Sequence, residues 1–264
     1  MYEEFYGLSE KPFGKTPDPR FLFPSRKHAE ALARLQHAVE EQDIVLLTGD
    51  IGSGKTTLSR AFIDSLSESY HPLLIINPRL SPSQLLKTVA LRLGMDDAGR
   101  FRHGILEGIN ARLFELYEAG KQPVIIIDEA QLIPGKTTFE ELRLLTNFQL
   151  DDRNLLSIVL IGQTELKERL ERKPYRALRQ RIGMQYHLGP LDVEETRDYV
   201  QHRLKVAGRD TALFDGPAIE TLFEHTGGVP RRINIVAGNA LVEGFGRGAV
   251  LITAEVIESV VKED

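Results

Sequence analysis

The chain has 264 residues, 42% of them hydrophobic and 27% charged, with no cysteine and a net charge of −5. That length buries a sizeable core in one large or two modest domains, and the composition is globular, without low-complexity tracts or repeats. The lack of cysteine excludes disulfides and thiolate metal sites, and the acidic balance excludes a global drive toward nucleic acid or an anionic membrane, leaving room only for a local basic patch.

The first residues, MYEEFYGLSEKPF, are acidic where a secretion signal needs a basic and then an apolar stretch. No window reaches the roughly 18 to 20 apolar residues of a membrane span. The expectation is a cytoplasmic protein. In PFGKTPDPRFLFPSRKHAEAL the prolines favour an extended segment and Phe13, Phe21 and Phe23 supply apolar surface. A helix is expected over Ala29 to Glu40, with His28 beginning or capping it and carrying no chemistry.

The stretch LLTGDIGSGKTTLSRAF follows. Ile44 to Thr48 reads as a buried strand, and from Thr56 onward Leu58, Ala61, Phe62 and Leu66 recur at helical spacing. Between them Gly49, Gly52 and Gly54 allow backbone angles that turn consecutive N–H groups into one concavity suited to phosphate. Lys55 is placed to reach the β- and γ-phosphates and the Thr56 hydroxyl to ligate Mg²⁺. Gly49-x-x-x-x-Gly54-Lys55-Thr56 is thus a P-loop in its strand-to-helix context, and the expected nucleotide-binding set is Gly49, Asp50, Ile51, Gly52, Ser53, Gly54, Lys55, Thr56 and Thr57.

Further apolar runs at Leu73 to Ile76, Val124 to Ile127, Ser157 to Ile161 and Met184 to Leu188 read as strands covered on both faces. Helices separate them. One opens on Ser81 and Pro82 and stops at Gly94; another spans Ile105 to Tyr117. The alternation predicts an α/β fold with a doubly wound parallel sheet. After Pro190 the strands give way to four helical segments, and His187 to Asp192 is the expected hinge. The organisation is therefore residues 1–45, an N-terminal segment and first helix contributing to the nucleotide pocket; 46–189, an αβα P-loop core; and 190–264, a small helical lid domain.

In VIIIDEAQ, Asp128 and Glu129 end an apolar strand, where carboxylates of a parallel sheet lie beside the ligand crevice. Asp128 is expected to hold Mg²⁺ with Thr56, and Glu129 to orient or deprotonate the attacking water. An acidic pair after a strand is also a common helix N-cap; the P-loop earlier in the same alternating domain favours the nucleotide role.

Together the P-loop, the Asp128–Glu129 pair and the trailing helices resemble an AAA+ ATPase. The block FYGLSEKPFGKTPDPRFLFPSRKHAEAL and DEAQ resemble the ATPase domain of the ExeA, or general secretion pathway protein A, family, with relatives in pilus and exopolysaccharide loci. Longer members of that family continue into a membrane span and a peptidoglycan-binding domain. The resemblance implies ATP as substrate, adenine clamped between the N-terminal segment and the helical domain, nucleotide-dependent self-association, and a membrane-bound secretion or envelope-assembly partner that would bring the protein to the inner membrane. It gives Gln163 the role of sensor 1, a surface amide being the alternative. It makes Arg231 in GGVPRRIN a sensor 2 residue reaching the γ-phosphate, the alternative being a turn that only opens a helix. The run LKERLERKPYRALRQRI holds seven basic and two acidic side chains between Lys167 and Arg181. By resemblance, Arg181 is the first choice for an arginine finger acting in a neighbouring subunit, with Arg179 and Arg176 as alternatives; a solvated helix face and a nucleic-acid contact stay open. The second function class is an ATP-dependent, DNA-binding transposition regulator built on a similar core.

Overall fold

The computed structural model describes residues 1–14, 18–97, 99, 101–150 and 153–263; Lys15, Thr16 and Pro17 of the N-terminal block lie outside the described residues. Strands β1 (Ile44–Gly49), β2 (Tyr70–Ile75), β3 (Gln122–Ile127), β4 (Ser157–Gly162) and β5 (Ile182–Leu188) form one sheet in the order β2-β3-β4-β1-β5. Every neighbouring pair is parallel. Helices occupy α1 (Tyr2–Phe5), α2 (Arg26–Glu40), α3 (Lys55–Ser65), α4 (Pro82–Arg92), α5 (Arg102–Glu118), α6 (Lys136–Leu145), α7 (Thr164–Glu171) and α8 (Arg176–Arg179). After the last strand come α9 (Val193–Val206), α10 (Gly216–Thr226), α11 (Pro230–Gly246) and α12 (Ala254–Glu263). The described residues divide into two compact units, one comprising Glu30–Gly49 and Ser59–Leu188, the other Met1–Ala29, Asp50–Leu58 and Gly189–Asp264.

The first unit is built on the sheet. Side chains alternate across a strand, and in β1, β3 and β4 both faces are dry. β5 departs from the expected cover on both faces: it begins at Ile182 and, at the other edge of the sheet, leaves Gly183, Gln185 and His187 exposed. Ile44, Leu46, Ile125, Ile127, Ile158 and Leu160 pack in one core with Leu86 and Val89 of α4, Ile109 and Leu113 of α5, and Phe139 and Leu142 of α6. The opposite-facing Val45, Leu47, Val124, Ile126, Val159 and Ile161 are equally buried. Burial on both sides is what made these strands read as unbroken apolar runs. β2 departs from the expected span: it begins at Tyr70 and ends at Ile75, leaving Ile76 63% exposed. It is an edge strand, so its first residues include polar ones and tolerate Pro72, which conceals them from an apolar-run reading. α4 starts as its residues dictate, with Ser81 and Gln84 completing a reciprocal capping box and Pro82 in the first turn.

The second unit is helical, and its core draws on Tyr6, Leu8 and Phe13 as well as α9 to α12. The N-terminal segment is bonded into it: Arg203 Nε donates to the Pro12 carbonyl at 2.5 Å, Ser9 Oγ to Ala207 at 2.9 Å and the Tyr6 hydroxyl to Ala249 at 2.9 Å. Arg203 is buried, its guanidinium 4.6 Å from the Phe21 ring centroid and 5.6 Å from that of Tyr199. Such stacking partly compensates the desolvation of a buried cation.

α2 starts earlier than expected, at Arg26, and His28 does not cap it. Ser25 does: its hydroxyl accepts from the His28 N–H at 3.3 Å and its carbonyl from Ala29 at 2.9 Å. Ser-x-x-His lacks the Glu or Gln of a capping box, so the start is not marked in the usual way.

Gly227 and Gly228, at φ +59° and +70°, end α10 and turn the chain into α11, which opens on Pro230. Leu191 N–H donates to Gly228 at 3.0 Å, and a Cβ on Gly228 would overlap the Leu191 carbonyl oxygen. Gly228→Ala therefore combines a left-handed backbone with a backbone clash and should destabilise the fold by about 2 kcal/mol or more, measured by chemical denaturation.

Candidate nucleotide site

The glycine loop is held, within the helical unit, by its carbonyl groups. Gly52 and Gly54 lie at φ +85° and +97°. The Asp50 carbonyl accepts from Ser53 N–H at 3.2 Å and from the Lys55 ammonium at 2.8 Å. The Gly52 carbonyl accepts from the Arg231 backbone N–H at 3.1 Å, and that of Gly54 from Leu58 at 2.9 Å. His28 Nε2 lies 3.2 Å from the Ser53 carbonyl. By contrast, the N–H groups of Gly52 and Gly54 make no hydrogen bond among the described residues. The Ser53 hydroxyl is buried and also without a partner. Unpaired N–H groups and a buried orphan hydroxyl suit an anion that accepts hydrogen bonds, and a phosphate fits that donor set. Lys55, 7% exposed, opens α3 and brings a cation to the same loop. Thr56 and Thr57 follow in the first turn and are half-buried, whereas Asp50 and Ile51 are exposed.

A polar network sits at the strand tips of the sheet unit. Gly49, Asp128 and Gln163 belong to or follow the carboxyl ends of β1, β3 and β4, which are neighbours or one strand apart. Asp128 is buried, its backbone N–H bonded to Ile75 at 3.0 Å and its Oδ1 accepting from the Glu129 N–H at 2.9 Å. Glu129 adopts a left-handed backbone, φ 55° and ψ 38°, uncommon for a residue with a side chain. Gln131 donates to Glu129 Oε2 at 2.5 Å, and its own Oε1 accepts from the Gln163 N–H at 3.1 Å. Gln163 Nε2 reaches the same Glu129 oxygen at 3.4 Å. Both amides converge on Oε2, so Glu129 Oε1 takes no hydrogen bond from the described residues.

Arg169 supports this network from below. Its Nη1 donates to the carbonyls of Ile133 at 2.6 Å and Gln131 at 3.3 Å, and its guanidinium sits 5.1 Å and 5.3 Å from the ring centroids of Phe139 and Tyr175. One of the seven basic residues of the run therefore faces inward. Arg172, Lys173, Arg176 and Arg179 are exposed and make no ion pair among the described residues. Arg181 bonds Thr146 Oγ1 at 3.5 Å and Asn147 Oδ1 at 3.2 Å, not Asp128, Glu129 or Gln163. Arg231 touches the loop by its backbone, and its side chain is exposed. Among the N-terminal rings, Phe13 packs edge-on against Phe214 at 6.0 Å and Phe21 lies under Arg203; Phe23 is only partly buried, beside Tyr199 and His202.

His28, Gln131 and Arg169 are the residues that sequence reasoning missed. His28 is 6% exposed, and burial, the largest influence on it, pushes the imidazole below its ordinary range. Its signal is Ser25, three residues upstream at the spacing of a helix cap. Gln131 stood in plain view in DEAQ, but nothing local says that its amide faces Glu129. Arg169 was hidden by the charges around it.

The AAA domain family matches residues 37–170. General secretion pathway protein A of Aeromonas hydrophila is 42% identical over 254 residues, which is 94% of this chain, while the chain spans 46% of that protein. Among solved structures, the Aeropyrum pernix ORC2 protein in its ADPNP–ADP complexes matches with a TM-score of 0.71 and 20% identity, over 97% of this chain and 72% of that one. The Thermotoga maritima RuvB Holliday junction branch migration motor matches at 0.58 and 19% identity, over 90% and 68%. At those identities the structural matches speak to the fold, a P-loop core of parallel strands. The family match takes in half of the chain, including β1, the glycine loop and the Asp128–Glu129 pair, and the chain belongs to the AAA domain family.

Proposed function

We propose that the protein binds ATP with Mg²⁺, hydrolyses it, and uses the cycle to change its self-association in assembling or remodelling a cell-envelope secretion, pilus or exopolysaccharide system. The observation that carries the reading is the loop after β1, whose carbonyls are bonded to the chain while the Gly52 and Gly54 N–H groups are not. In this reading those N–H groups and Lys55 bind the β- and γ-phosphates. Thr56 and Asp128 offer the oxygen donors that suit Mg²⁺, which takes few protein ligands beside phosphate oxygens and waters. When bound, that ion would neutralise charge on the phosphates.

Glu129 is the group that orients or deprotonates the attacking water. Gln131 and Gln163 both donate to its Oε2, which fixes the carboxylate and leaves Oε1 to accept from the water. Arg231 would reach the γ-phosphate from the helical unit, and Arg181, with Arg179 and Arg176 as alternatives, would serve a neighbouring subunit. Of the three N-terminal rings, Phe23 is the one not already enclosed and so the one left to face a base. The choice of secretion is supported by the identity to general secretion pathway protein A, and a membrane-bound partner is part of the proposal. Among the described residues no helix is long and apolar enough to cross a membrane, and attachment to the inner membrane would run through that partner.

A second reading, an ATP-dependent DNA-binding regulator, is favoured by one observation: Arg172, Lys173, Arg176 and Arg179 are exposed together in an acidic protein. Backbone phosphate contacts of that kind are salt-dependent.

Lys55→Ala should abolish nucleotide binding in calorimetry, whereas Glu129→Gln should bind normally and lose about 100-fold or more in phosphate release. Hydrolysis per subunit should rise with protein concentration as subunits meet, read together with particle size by light scattering; a constant rate with no assembly counts against the oligomer. Duplex DNA titrated with a non-hydrolysable ATP analogue should bind weakly or not at all under the first reading, and with affinity falling steeply with salt under the second.

A further inference from the structure

The Ser53–Gly54 peptide group has its carbonyl turned toward His28. No peptide bond is cis. In a planar trans peptide the C=O and the following N–H point in opposite directions, so whatever holds the Ser53 carbonyl also aims the Gly54 N–H. The His28 ring is fixed at both nitrogens. A carbonyl oxygen can only accept, so Nε2 carries the proton and donates to Ser53 at 3.2 Å, and Nδ1, 2.8 Å from Ser25 Oγ, accepts from that hydroxyl. Ser25 is in turn fixed as the cap of α2, accepting from the His28 N–H. The ring also abuts the loop: a Cβ on Gly54 would lie 2.9 Å from His28 Nε2, so only glycine lets the imidazole approach. Burial pushes the ring below its ordinary range and the neighbouring Lys27 acts the same way, while the Ser53 carbonyl and Glu195 oppose it; the imidazole is neutral at neutral pH.

We infer that His28 is a positioning residue for nucleotide binding: through Nε2–H it holds the Ser53 carbonyl and thereby points the Gly54 N–H at the bound phosphate. This rests on the reading of the loop as a phosphate cradle. Its one partner in the loop is the Ser53 carbonyl, a backbone atom, which is why the residue acts through geometry and not through charge.

The experiment compares the whole chain with His28→Phe, which keeps the ring volume and loses the donor, and His28→Gln, whose amide can donate again. Calorimetry with magnesium and a non-hydrolysable ATP analogue should give affinity about tenfold weaker for the phenylalanine variant and within a few-fold of the original for glutamine. Nitrogen-15 chemical shifts of the imidazole in the original chain should report a protonated Nε2 and an unprotonated Nδ1. Equal affinity in the original and the phenylalanine variant, or a proton found on Nδ1, overturns the inference while leaving nucleotide binding intact. If the phenylalanine variant fails to fold, Ser25→Ala serves instead: it leaves the ring and frees its tautomer, weaker binding supports the inference and unchanged binding contradicts it. No binding by the original chain would remove the nucleotide reading itself, and the inference with it.

Discussion

The direction of a few peptide groups between Asp50 and Gly54 is the constraint on which the proposed function depends. Each carbonyl in the loop that the structure bonds to a side chain or backbone N–H commits the next N–H to the other side. Arg231 holds the Gly52 carbonyl, whose peptide partner, the Ser53 N–H, is bonded to Asp50; His28 holds the Ser53 carbonyl and so aims the Gly54 N–H, while Lys55 reaches the carbonyl of Asp50. Two glycines at positive φ make this turn accessible at little steric cost. A loop stabilised only by its own conformational preference would lose such an arrangement readily; one tied by donors from α2 and α11 is preorganised, which lowers the ordering cost of binding.

In the sheet unit the same logic works with side chains. Glu129 sits in a backbone region that costs something of the order of 1 to 3 kcal/mol, and the surrounding bonds to Asp128 and Gln131 over-determine it. Gly162 is part of that support. A Cβ there would lie 2.8 Å from Gln131 Oε1 and 2.6 Å from Leu166 Cδ2, so the glycine that ends β4 leaves room for the amide bridging Glu129 and Gln163 where any side chain would make it shift. Arg169 then closes the arrangement by holding the backbone of Gln131 and Ile133. A strained acid with one oxygen accepting two hydrogen bonds, the other taking none from the described residues and no side-chain cap bond, is an arrangement suited to orienting a water and less suited to a passive helix cap.

Much of this was legible in the residues. The parallel sheet announced itself because IVLLTG and SIVLIG are buried at every position and so carry no polar alternation, and α4 because Ser81, Pro82 and Gly94 punctuate it. The glycine loop was legible because its chemistry is local: spacing alone sets the backbone freedom. What escaped was long-range. His28 meets Ser53 across 25 residues, Gln163 meets Gln131 across 32, and Arg169 meets Ile133 across 36. A polar side chain in a helix start or a basic run reads locally as solvated, and only the partner, supplied by the fold, turns it inward. β2 was partly missed for a related reason: at the edge of the sheet it is half wet, and hydrophobicity is a poor guide to where such a strand begins.

Amide nitrogen-15 spectra of the chain titrated with magnesium and ADP test the central claim most directly, because they read the loop's N–H groups one at a time. The account predicts large, saturable downfield proton shifts at Gly52 and Gly54, with a smaller change at Ser53, whose N–H is already bonded to Asp50. Nucleotide binding that moved the Gly52 and Gly54 amides no more than those of distant helices would contradict it.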